Sequence, residues 1–440
     1  MKKVIALLLA MGLLVSLVGC GKKANDEPTT SDEPAATEAP ASTEAPTTDS
    51  KPVDLTMWNI AVESDGNYDA YTSAIADFQA AHPEINLTWE ATQNEDYKLK
   101  IKAAAAANEL PDFFFTWGGG FLKEFVDAGR VYCLDDVYAD YSSELPDNVM
   151  GNHTYDGKRY GVPTNFNVVA MFANMELLKK AGIDKVPSTY EELMACCDTL
   201  VANDIIPFGC SGKERWAITE YVEPMIEKCV GASTLRDMYT GNTSWNNEGV
   251  AKAIDSFQGM VKKYFDPEDV ALKNDEVKAN FIAGKYAFYV NGTWNCKDIV
   301  DGGMGDKVQV VEFPAMDSTN YPMGDLIGGG NDSLAVSANS KNPEIAAKAA
   351  FEIAKGVCKY AYLSGNGLPA WTPDYPTDTL SKLTLSVVDI INNSKASVLF
   401  GDCIMTADDA NIYLDYVEQA YACVIDGKGF AENLANDLKK

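Results

Sequence analysis

Tryptophan side chains stand beside amides at several points of this 440-residue chain. Trp294 follows the run AFYVNG and lies between Asn291 and Asn295, and Trp58-Asn59 closes the run VDLTMW. An aromatic ring offers an apolar face for stacking, and neighbouring amides offer hydrogen-bond donors and acceptors. The combination favours non-covalent recognition of a ligand.

Groups that carry out covalent chemistry are scarce. The chain has two histidines, His82 before a proline at a predicted helix end and His153 in the polar stretch GNHTYDG. That number excludes most histidine-based metal sites and Ser-His-Asp catalysis. There is no HExxH or GxSxG motif, and GCSGKERW lacks the spacing and the Ser or Thr of a Walker A loop. We therefore expect no catalytic residue, no cofactor and no metal.

The chain begins with a positively charged start and an apolar run, MKKVIALLLAMGLLVSLVGC. The run is short for a membrane span and is typical of an export signal. Its end, Leu17-Val18-Gly19-Cys20, resembles the bacterial lipobox, in which the signal is removed before a cysteine that then carries lipid. An ordinary signal peptide or a single anchor helix is the alternative.

The segment that follows Cys20 is rich in Pro, Thr, Glu and Ala and has no aromatic residue before residue 53. Such a composition cannot bury enough apolar surface to offset the entropy of ordering. We expect residues 1–19 to be a lipoprotein signal peptide and residues 20–52 to be a lipidated cysteine with a disordered tether. This predicts a protein at the extracytoplasmic face of a bacterial cell membrane, anchored through lipid on Cys20.

The charge of the chain restricts its partners. A formal net charge of −28 argues against nucleic acid and against anionic lipid head groups, since both require a basic surface. It also disfavours an anionic ligand.

The cysteines do not form a disulfide pattern. Of the 10 cysteines, Cys20 is assigned to lipid, which leaves an odd number with no CxxC pair. Cys197 and Cys229 fall on the apolar faces of predicted helices. We expect buried free thiols that pack as small hydrophobic side chains.

Strands and helices alternate from residue 53 onward. VDLTMW, INLTWE and DFFFTW read as strands, and YDAYTSAIADFQAAH and EDYKLKIKAAAAANE read as helices between them. This order predicts an α/β layer with a parallel core. A second block starts near Gly161-Val162-Pro163 with the strand VVAMFAN and the helix MELLKKAGI. In it, Pro187-Ser188 followed by Glu191 predicts a capping box at a helix start.

Five stretches in a fixed order resemble the extracellular solute-binding proteins of ABC importers, in the large sugar-binding group that includes maltose-binding protein. They are LPDFFFTW with EFVDAGRVYCLDD, then GKRYGVPTNFNVVAMFANMELLKKAGIDKVPSTYEEL, FIAGKYAFYVNGTW, SLAVSANSKNPEIAAKAAFEIA and IDGKGFAENLANDL. The family often has Tyr before the Asn of the second stretch, where this chain has Ala173-Asn174. Together the stretches extend from residue 53 to the end of the chain.

The resemblance implies an α/β fold of the bilobal periplasmic-binding-protein type, with two discontinuous lobes and a ligand cleft between them. The N-terminal lobe would hold residues 53–162 and 325–358. The C-terminal lobe would hold residues 163–324 and 359–440. Hinge segments between the lobes would allow the cleft to close on a ligand.

The resemblance also implies a carbohydrate ligand, whose flat faces stack on aromatic rings and whose hydroxyls pair with carboxylates and amides. Trp294 matches the family's G-x-W, and Trp216 lies where the family often places another aromatic residue. Other candidates lie at predicted strand ends, where α/β ligand sites form. These are Trp117, Trp58, Asn59, Glu63, Asp65, Asn165, Phe166, Asn295, Asn331, Asp332 and Trp371. For each tryptophan, a place in the core is the alternative.

The sequence therefore predicts a lipid-anchored binding protein that captures a carbohydrate, expected to be an oligosaccharide, and delivers it to ABC permease subunits. We expect it to act as a monomer. Three alternatives stay open. One is a surface glycosidase, which would need two carboxylates across a cleft. Another is a co-receptor that presents its ligand to a membrane sensor. The third keeps the same clamp with a polyamine or peptide as ligand.

Overall fold

Two β-sheets organise the part of the chain that the computed structural model describes, residues 52–321, 323–377 and 380–438. The predicted signal peptide, Cys20 and all of the predicted tether except residue 52 lie outside the described residues. The strands, in chain order, are β1 (Val53–Asn59), β2 (Ile85–Ala91), β3 (Phe113–Trp117), β4 (Thr154–Tyr155), β5 (Lys158–Arg159), β6 (Gly161–Pro163), β7 (Asn165–Asn174), β8 (Ile206–Phe208), β9 (Tyr286–Gly292), β10 (Val308–Val311), β11 (Asp325–Gly329), β12 (Asp332–Val336), β13 (Leu368–Pro369) and β14 (Ala396–Val398).

Helices cover the faces of both sheets. In chain order they are α1 (Tyr68–Ala81), α2 (Asn94–Ala107), α3 (Gly120–Asp127), α4 (Asp135–Tyr141), α5 (Met175–Lys180), α6 (Tyr190–Ala202), α7 (Arg215–Val230), α8 (Ala232–Tyr239), α9 (Glu248–Tyr264), α10 (Asn274–Ile282), α11 (Cys296–Ile299), α12 (Pro343–Ser364), α13 (Lys382–Asn392), α14 (Gly401–Ile404), α15 (Ala407–Tyr421) and α16 (Gly427–Asp437).

The first sheet has the strand order β2-β1-β3-β12-β6. β1 runs parallel to β2 and β3, whereas β12 runs antiparallel to β3 and β6. Leu55 and Met57 of β1 are buried, in agreement with the alternation of apolar and polar residues in the sequence. The predicted parallel core of the first three strands is therefore confirmed.

The second sheet has the strand order β14-β11-β7-β9-β8, and β10 and β13 also pair with β7. β7 is antiparallel to β9 and β11, while β8 is parallel to β9 and β14 is parallel to β11. In β7, the run Val168–Ala173 is fully buried, which is why its sequence, VVAMFA, shows no alternation.

The chain passes between the sheets at short connections. β6 ends at Pro163 in the first sheet, and β7 begins at Asn165 in the second. The chain returns between Gly329, the last residue of β11, and Asp332, the first residue of β12. Helix α12 packs against α1 of the first sheet and extends to Ser364 before β13 joins the second sheet. The exact lobe limits given by the sequence stay a prediction.

The start of α6 differs from the prediction. Thr189 is the N-cap, and its side chain accepts a hydrogen bond from Glu192 N. The Glu192 carboxylate in turn accepts from the backbone and the hydroxyl of Ser188. The capping predicted for Ser188 and Glu191 is thus made by Thr189 and Glu192, because α6 begins at Tyr190, one position later than the sequence suggested.

The cysteines of the described chain are free thiols, as expected. Cys197 is buried on the core face of α6, and Cys229 is half-buried on α7. Among the described residues, no helix is both long and apolar enough to cross a membrane.

Candidate functional site

A cavity of about 1140 Å³, counting the space at its open mouth, lies between the two sheets. The first wall consists of segments that follow or begin strands of the first sheet: Ile60, Val62, Ser64, Asp65, Gly66, Asn67, Gln93, Asn94, Lys98, Trp117 and Asp332. The second wall belongs to segments that border strands of the second sheet: Asn165, Asn167, Glu214, Trp216, Glu220, Asn274, Asp275, Lys278, Trp294, Asn295, Asp298, Phe400, Asp402 and Cys403. Gly329 and Asn331 lie where the chain crosses between the sheets, and they complete the lining of the cavity.

The topology explains why these segments meet. The parallel strands β1, β2 and β3 end at one edge of the first sheet, and the loops after them form the first wall. The parallel strands β8 and β9 likewise end at one edge of the second sheet, just before Glu214 and Trp294. Ligand sites of α/β proteins form at such carboxyl edges.

Aromatic rings form a continuous surface on the second wall. The ring centroids of Trp216 and Trp294 are 6.1 Å apart, and those of Trp294 and Phe400 are 5.8 Å apart. Trp117 of the first wall packs edge-on against Phe121 at 5.0 Å. The cavity thus offers apolar surface from both walls.

Trp294 is held in place by its neighbours. The backbone at Gly292 has φ −71° and ψ 155°, an ordinary extended conformation. Gly292 is therefore not required for a turn. A Cβ at this position would overlap the indole of Trp294, so glycine is required here for its small size. Beneath the ring, Asn295 donates hydrogen bonds to Asn291 Oδ1 at 2.9 Å and to Gly292 O at 3.0 Å.

Several buried polar atoms at the cavity have no partner within the described chain. They are Asn94 Oδ1, Asn165 Oδ1, Trp216 Nε1, Glu220 Oε2 and Asn331 Oδ1. A buried polar atom without a hydrogen bond costs about 1–3 kcal/mol. A ligand that supplies donors to the four oxygens and an acceptor to the indole would remove that cost.

Acidic side chains of the cavity have raised pKa values. Burial raises the pKa of Asp65 to about 6, against the opposing effect of a hydrogen bond from Asn67 N. Burial, with the charge of Asp65, raises the pKa of Asp332 to about 7. Burial and the charges of Glu223 and Asp402 raise the pKa of Glu220 well above its ordinary value. Few positively charged side chains lie close to these carboxyl groups, so hydrogen-bond donors on a ligand would stabilise them.

The two walls contact each other in this structure. Gln93 Nε2 of the first wall donates to Glu214 Oε1 of the second at 3.5 Å. Outside the cavity, Lys297 Nζ lies 3.4 Å from Asp69 Oδ2, which joins α11 to α1. The Ala407 N–H donates to Glu124 Oε1 at 2.6 Å, which joins α15 to α3. The cleft is therefore in a closed arrangement.

Eight of the residues singled out from the sequence line the cavity. They are Trp294, Trp117, Trp216, Asp65, Asn165, Asn295, Asn331 and Asp332. The structure brings together residues that are far apart in the chain, although contact with a ligand stays a prediction for each of them.

The other five lie outside the cavity. Trp371 is buried, donates from Nε1 to Pro163 O at 2.8 Å and packs against Tyr141 and Phe351. The ring of Trp58 lies 4.0 Å from Lys100 Nζ, and the Asn59 side chain accepts a hydrogen bond from Ala61 N. Glu63 faces solvent, and Phe166 packs against buried apolar residues of the second sheet.

Sequence reasoning missed many polar residues of the cavity. Glu214 occupies the N-cap position of α7, Asn274 is the first residue of α10, and Asp402 lies in the first turn of α14. Polar residues at helix starts are common because they satisfy free backbone N–H groups. That general role hides any second one. The available signal was that α7 and α14 follow the strands β8 and β14 after short loops, whereas α10 does not directly follow a strand.

His153 has a structural role. It is buried below the crossing segment, with Nε2 3.3 Å from Asn331 O, and burial lowers its pKa to about 4. His82 lies at the surface between Glu84 and Glu352. In the described part of the chain, no group of three or more His, Cys, Asp or Glu side chains is arranged to hold a metal ion.

Comparison with known proteins gives relatives of one kind. A sequence relative is the multiple sugar-binding protein of Streptococcus mutans, 23% identical over 283 residues, which are 62% of this chain and 65% of the relative. The chain thus spans slightly less than two thirds of the length of such curated relatives.

Solved structures match over a larger share. One, from work on xylan utilization by Caldanaerobius polysaccharolyticus, is 32% identical, covers 88% of this chain and 100% of its own, and has a TM-score of 0.84. A chitin oligosaccharide binding protein is 21% identical, covers 88% of this chain and 98% of its own, and has a TM-score of 0.80. The bilobal α/β fold expected from the sequence is confirmed by these neighbours.

The model of the family described as bacterial extracellular solute-binding protein matches residues 73–351, more than half of the chain. Together with the cleft between the two sheets, this match confirms the resemblance seen in the sequence. The chain belongs to the bacterial extracellular solute-binding proteins.

Proposed function

We propose that this protein captures an oligosaccharide in the cavity as the binding component of an ABC importer. The observation that carries the proposal is the pairing of an aromatic surface, Trp216, Trp294 and Phe400, with buried polar atoms that lack a partner. A sugar ring presents apolar C–H faces to aromatic rings and hydroxyls to amides and carboxylates. A purely apolar ligand would leave the polar atoms unsatisfied.

The relatives favour a ligand of more than one sugar ring. The 32%-identical neighbour comes from work on xylan utilization, and other relatives are named for sugars or oligosaccharides. Xylan-derived oligosaccharides are therefore the first candidates, followed by chitin-derived ones.

The proposal is tested by a thermal-shift screen against xylo-, chito-, malto- and galacto-oligosaccharides, followed by calorimetric titration of the hits. A ligand at 100 times its Kd adds about 2.7 kcal/mol to the free energy of unfolding. We expect at least one oligosaccharide to raise the Tm and to titrate with a single site. If none of these sugars shifts the Tm while a polyamine or a peptide does, the carbohydrate assignment is wrong.

A glycosidase is the competing function, because the cavity contains several carboxyl groups with raised pKa values. The family consists of substrate-binding proteins, and we propose that this member likewise binds without turnover. Prolonged incubation of the hit sugar with the protein, followed by chromatography, checks this. Release of shorter sugars by the wild-type protein, but not by D332N, would establish an enzyme instead.

We further propose that Cys20 carries lipid and holds the protein at the outer face of the cell membrane. The support is the sequence Leu17-Val18-Gly19-Cys20 and the polar segment that follows it. A single acyl chain anchors only marginally, so a lipoprotein cysteine with two or more chains suits the role. In cells, C20S should move the protein from the membrane fraction to the medium, whereas C423S, which changes another cysteine, should not. Retention of C20S in the membrane would rule out this anchor.

Delivery to permease subunits is the last part of the proposal. The partner could instead be a membrane sensor with the same clamp as its input. Co-purification of the lipoprotein with its sugar distinguishes the two, since an importer recovers permease subunits and a sensory system recovers a signalling membrane protein. Recovery of a sensor alone would contradict the importer role.

A further inference from the structure

The cavity is strongly acidic. The carboxylates that line it are Asp65, Glu214, Glu220, Asp275, Asp298, Asp332 and Asp402, and the cationic side chains among its described residues are Lys98 and Lys278. Acidic groups belong to both walls. A bound molecule therefore meets negative charge from either side.

Both lysines are already paired. Lys278 Nζ lies 2.6 Å from Asp298 Oδ2 and 3.2 Å from Asp275 Oδ1. Lys98 Nζ lies 2.9 Å from Glu95 Oε1, and the charge of Asp402 also acts on it. Neither ammonium group is free to neutralise an anion on a ligand.

A helix start near the cavity is occupied in the same way. The N-terminus of a helix attracts anions, because its backbone N–H groups and dipole point outward. At α10, Glu214 Oε2 accepts the hydrogen bond of Asn274 N at 2.7 Å. A protein carboxylate thus already holds the position that an anionic ligand could use.

The acidic groups that remain have few partners. Glu220 is 2% exposed, and its Oε2 has no hydrogen-bond partner within the described chain. No hydrogen bond joins the Asp332 carboxylate to another described side chain, and Asp65 accepts only from Asn67 N at 2.8 Å. Such acceptors are satisfied by hydroxyl donors and are opposed by a further carboxylate.

We infer that the cavity selects uncharged oligosaccharides and rejects those that carry a uronic acid, with Asp332 as the residue that sets this preference. The inference rests on the proposed function and defines its substrate class. It matters for plant polysaccharides, because acidic branches and neutral backbones occur in the same material. The structure thus implies that acidic branches are removed, or remain outside the cavity, before capture.

The test compares xylotetraose with xylotetraose that carries one glucuronic acid branch, by calorimetric titration at pH 8. Like charges placed together in a binding site cost several kcal/mol, so we expect binding at least about 100-fold weaker for the acidic sugar. To separate charge from shape, the alditol and the aldonate of xylotetraose are compared in the same way. Both have an open terminal unit, and only the aldonate carries a carboxylate.

A single substitution tests the role assigned to Asp332. In D332N, the ratio between the two affinities should shrink at least about tenfold, whatever happens to the affinity for the neutral sugar. D96N, which removes an equal charge on the exposed face of α2, should leave the ratio unchanged. A ratio unchanged in D332N would overturn the role assigned to Asp332.

Other results overturn the inference in distinct ways. Equal affinity for neutral and acidic sugars contradicts it and leaves the proposed function intact. Tighter binding of a glucosamine tetramer than of both shows a preference for cations and overturns it as well. If no sugar binds, the proposed function fails, and the inference fails with it.

Discussion

At the scale of single residues, burial decides which tryptophan rings face the cavity. Trp294 lies half-buried between Trp216 and Phe400, so one part of its indole faces the cavity. Trp371, which is equally apolar and also follows a short strand, is buried between Tyr141 and Phe351. What distinguishes the two is whether another element covers the ring.

Replacing Trp294 by Ala should weaken sugar binding and leave the fold intact. Stacking contributes about 0.5–1.5 kcal/mol and the lost apolar contact a similar amount, so the sum is about 2 kcal/mol, or about thirtyfold in Kd. Calorimetric titration and a melting curve check this. W58A is the matched control, because Trp58 is half-buried outside the cavity. An unchanged affinity with a large drop in Tm would place Trp294 in the core.

A substitution at Gly292 should weaken sugar binding through its effect on Trp294. G292A adds a methyl group where the indole lies, so the ring must move. We expect a loss of about tenfold or more in sugar affinity and a shift in tryptophan fluorescence. G259A, on α9 at a position with nothing nearby, is the control and should change neither. Wild-type affinity in G292A would mean that the position of Trp294 is not critical.

At the scale of elements, helix α7 connects the core to the cavity. Glu220 lines the cavity, and Glu223 Oε1, inside the protein, accepts from Gly401 N at 3.0 Å and from the Tyr413 hydroxyl at 3.2 Å. Gly401 starts α14, which carries Asp402 and Cys403 into the cavity wall. The buried carboxyl group of Glu223 on α7 thus fixes the position of helix α14.

Glu223 should be protonated at neutral pH. Burial, with the charge of Asp402, raises its pKa to about 8 from an ordinary value of 4.5. Because the folded pKa lies above the unfolded one, the stability linked to this group is complete below pH 4.5 and is lost as pH rises toward 8. E223Q has the same shape and cannot ionise. Between pH 6 and pH 9 it should lose about 3 kcal/mol less stability than the wild type, because about two pH units separate pH 6 from the folded pKa and each is worth ~1.4 kcal/mol.

Urea unfolding of both proteins at the two pH values measures this difference. Other buried acids, such as Asp332, contribute equally to both proteins and cancel. E223A should be less stable than either at pH 6 by about 1–3 kcal/mol, because Gly401 N loses its acceptor. Parallel pH profiles for the wild type and E223Q would show that Glu223 is ionised throughout.

At the scale of the whole molecule, the structure has the two walls in contact through Gln93 and Glu214 and through Lys297 and Asp69. The ion pair of Lys297 with Asp69, which is 72% exposed, is of a kind that contributes about 0–1 kcal/mol. Single polar contacts of this size do not exclude an open form. We therefore expect an equilibrium in which the ligand, bound to both walls, favours the closed form.

Small-angle scattering should show this closure. Adding the oligosaccharide found in the screen should reduce the radius of gyration of the wild-type protein, and the forward scattering should correspond to a monomer. W294A at the same sugar concentration serves as the weak-binding control. A saturating sugar that leaves the scattering curve unchanged would contradict the clamp mechanism.

The architecture and the family were predictable from the sequence. The alternation in VDLTMW and INLTWE predicts half-buried strands, because a strand directs successive side chains to opposite faces, and β1 and β2 confirm it. The ordered family stretches indicated the fold and singled out Trp294 and Trp216, which line the cavity. The alternation is a local signal, and the family resemblance depends on the order of segments along the chain. Both can therefore be recognised from the sequence without a structure.

The composition of the cavity was decided by the tertiary structure. Asp65 and Asp332 are distant in the chain, and their raised pKa values arise only after β1 and β12 join one sheet. Glu220 looks like one of many exposed acids until α7 is packed on all sides. Burial, charge pairing and the lack of a partner depend on which segments surround a side chain. Those surrounding residues are far away in the sequence, so local sequence patterns do not predict them.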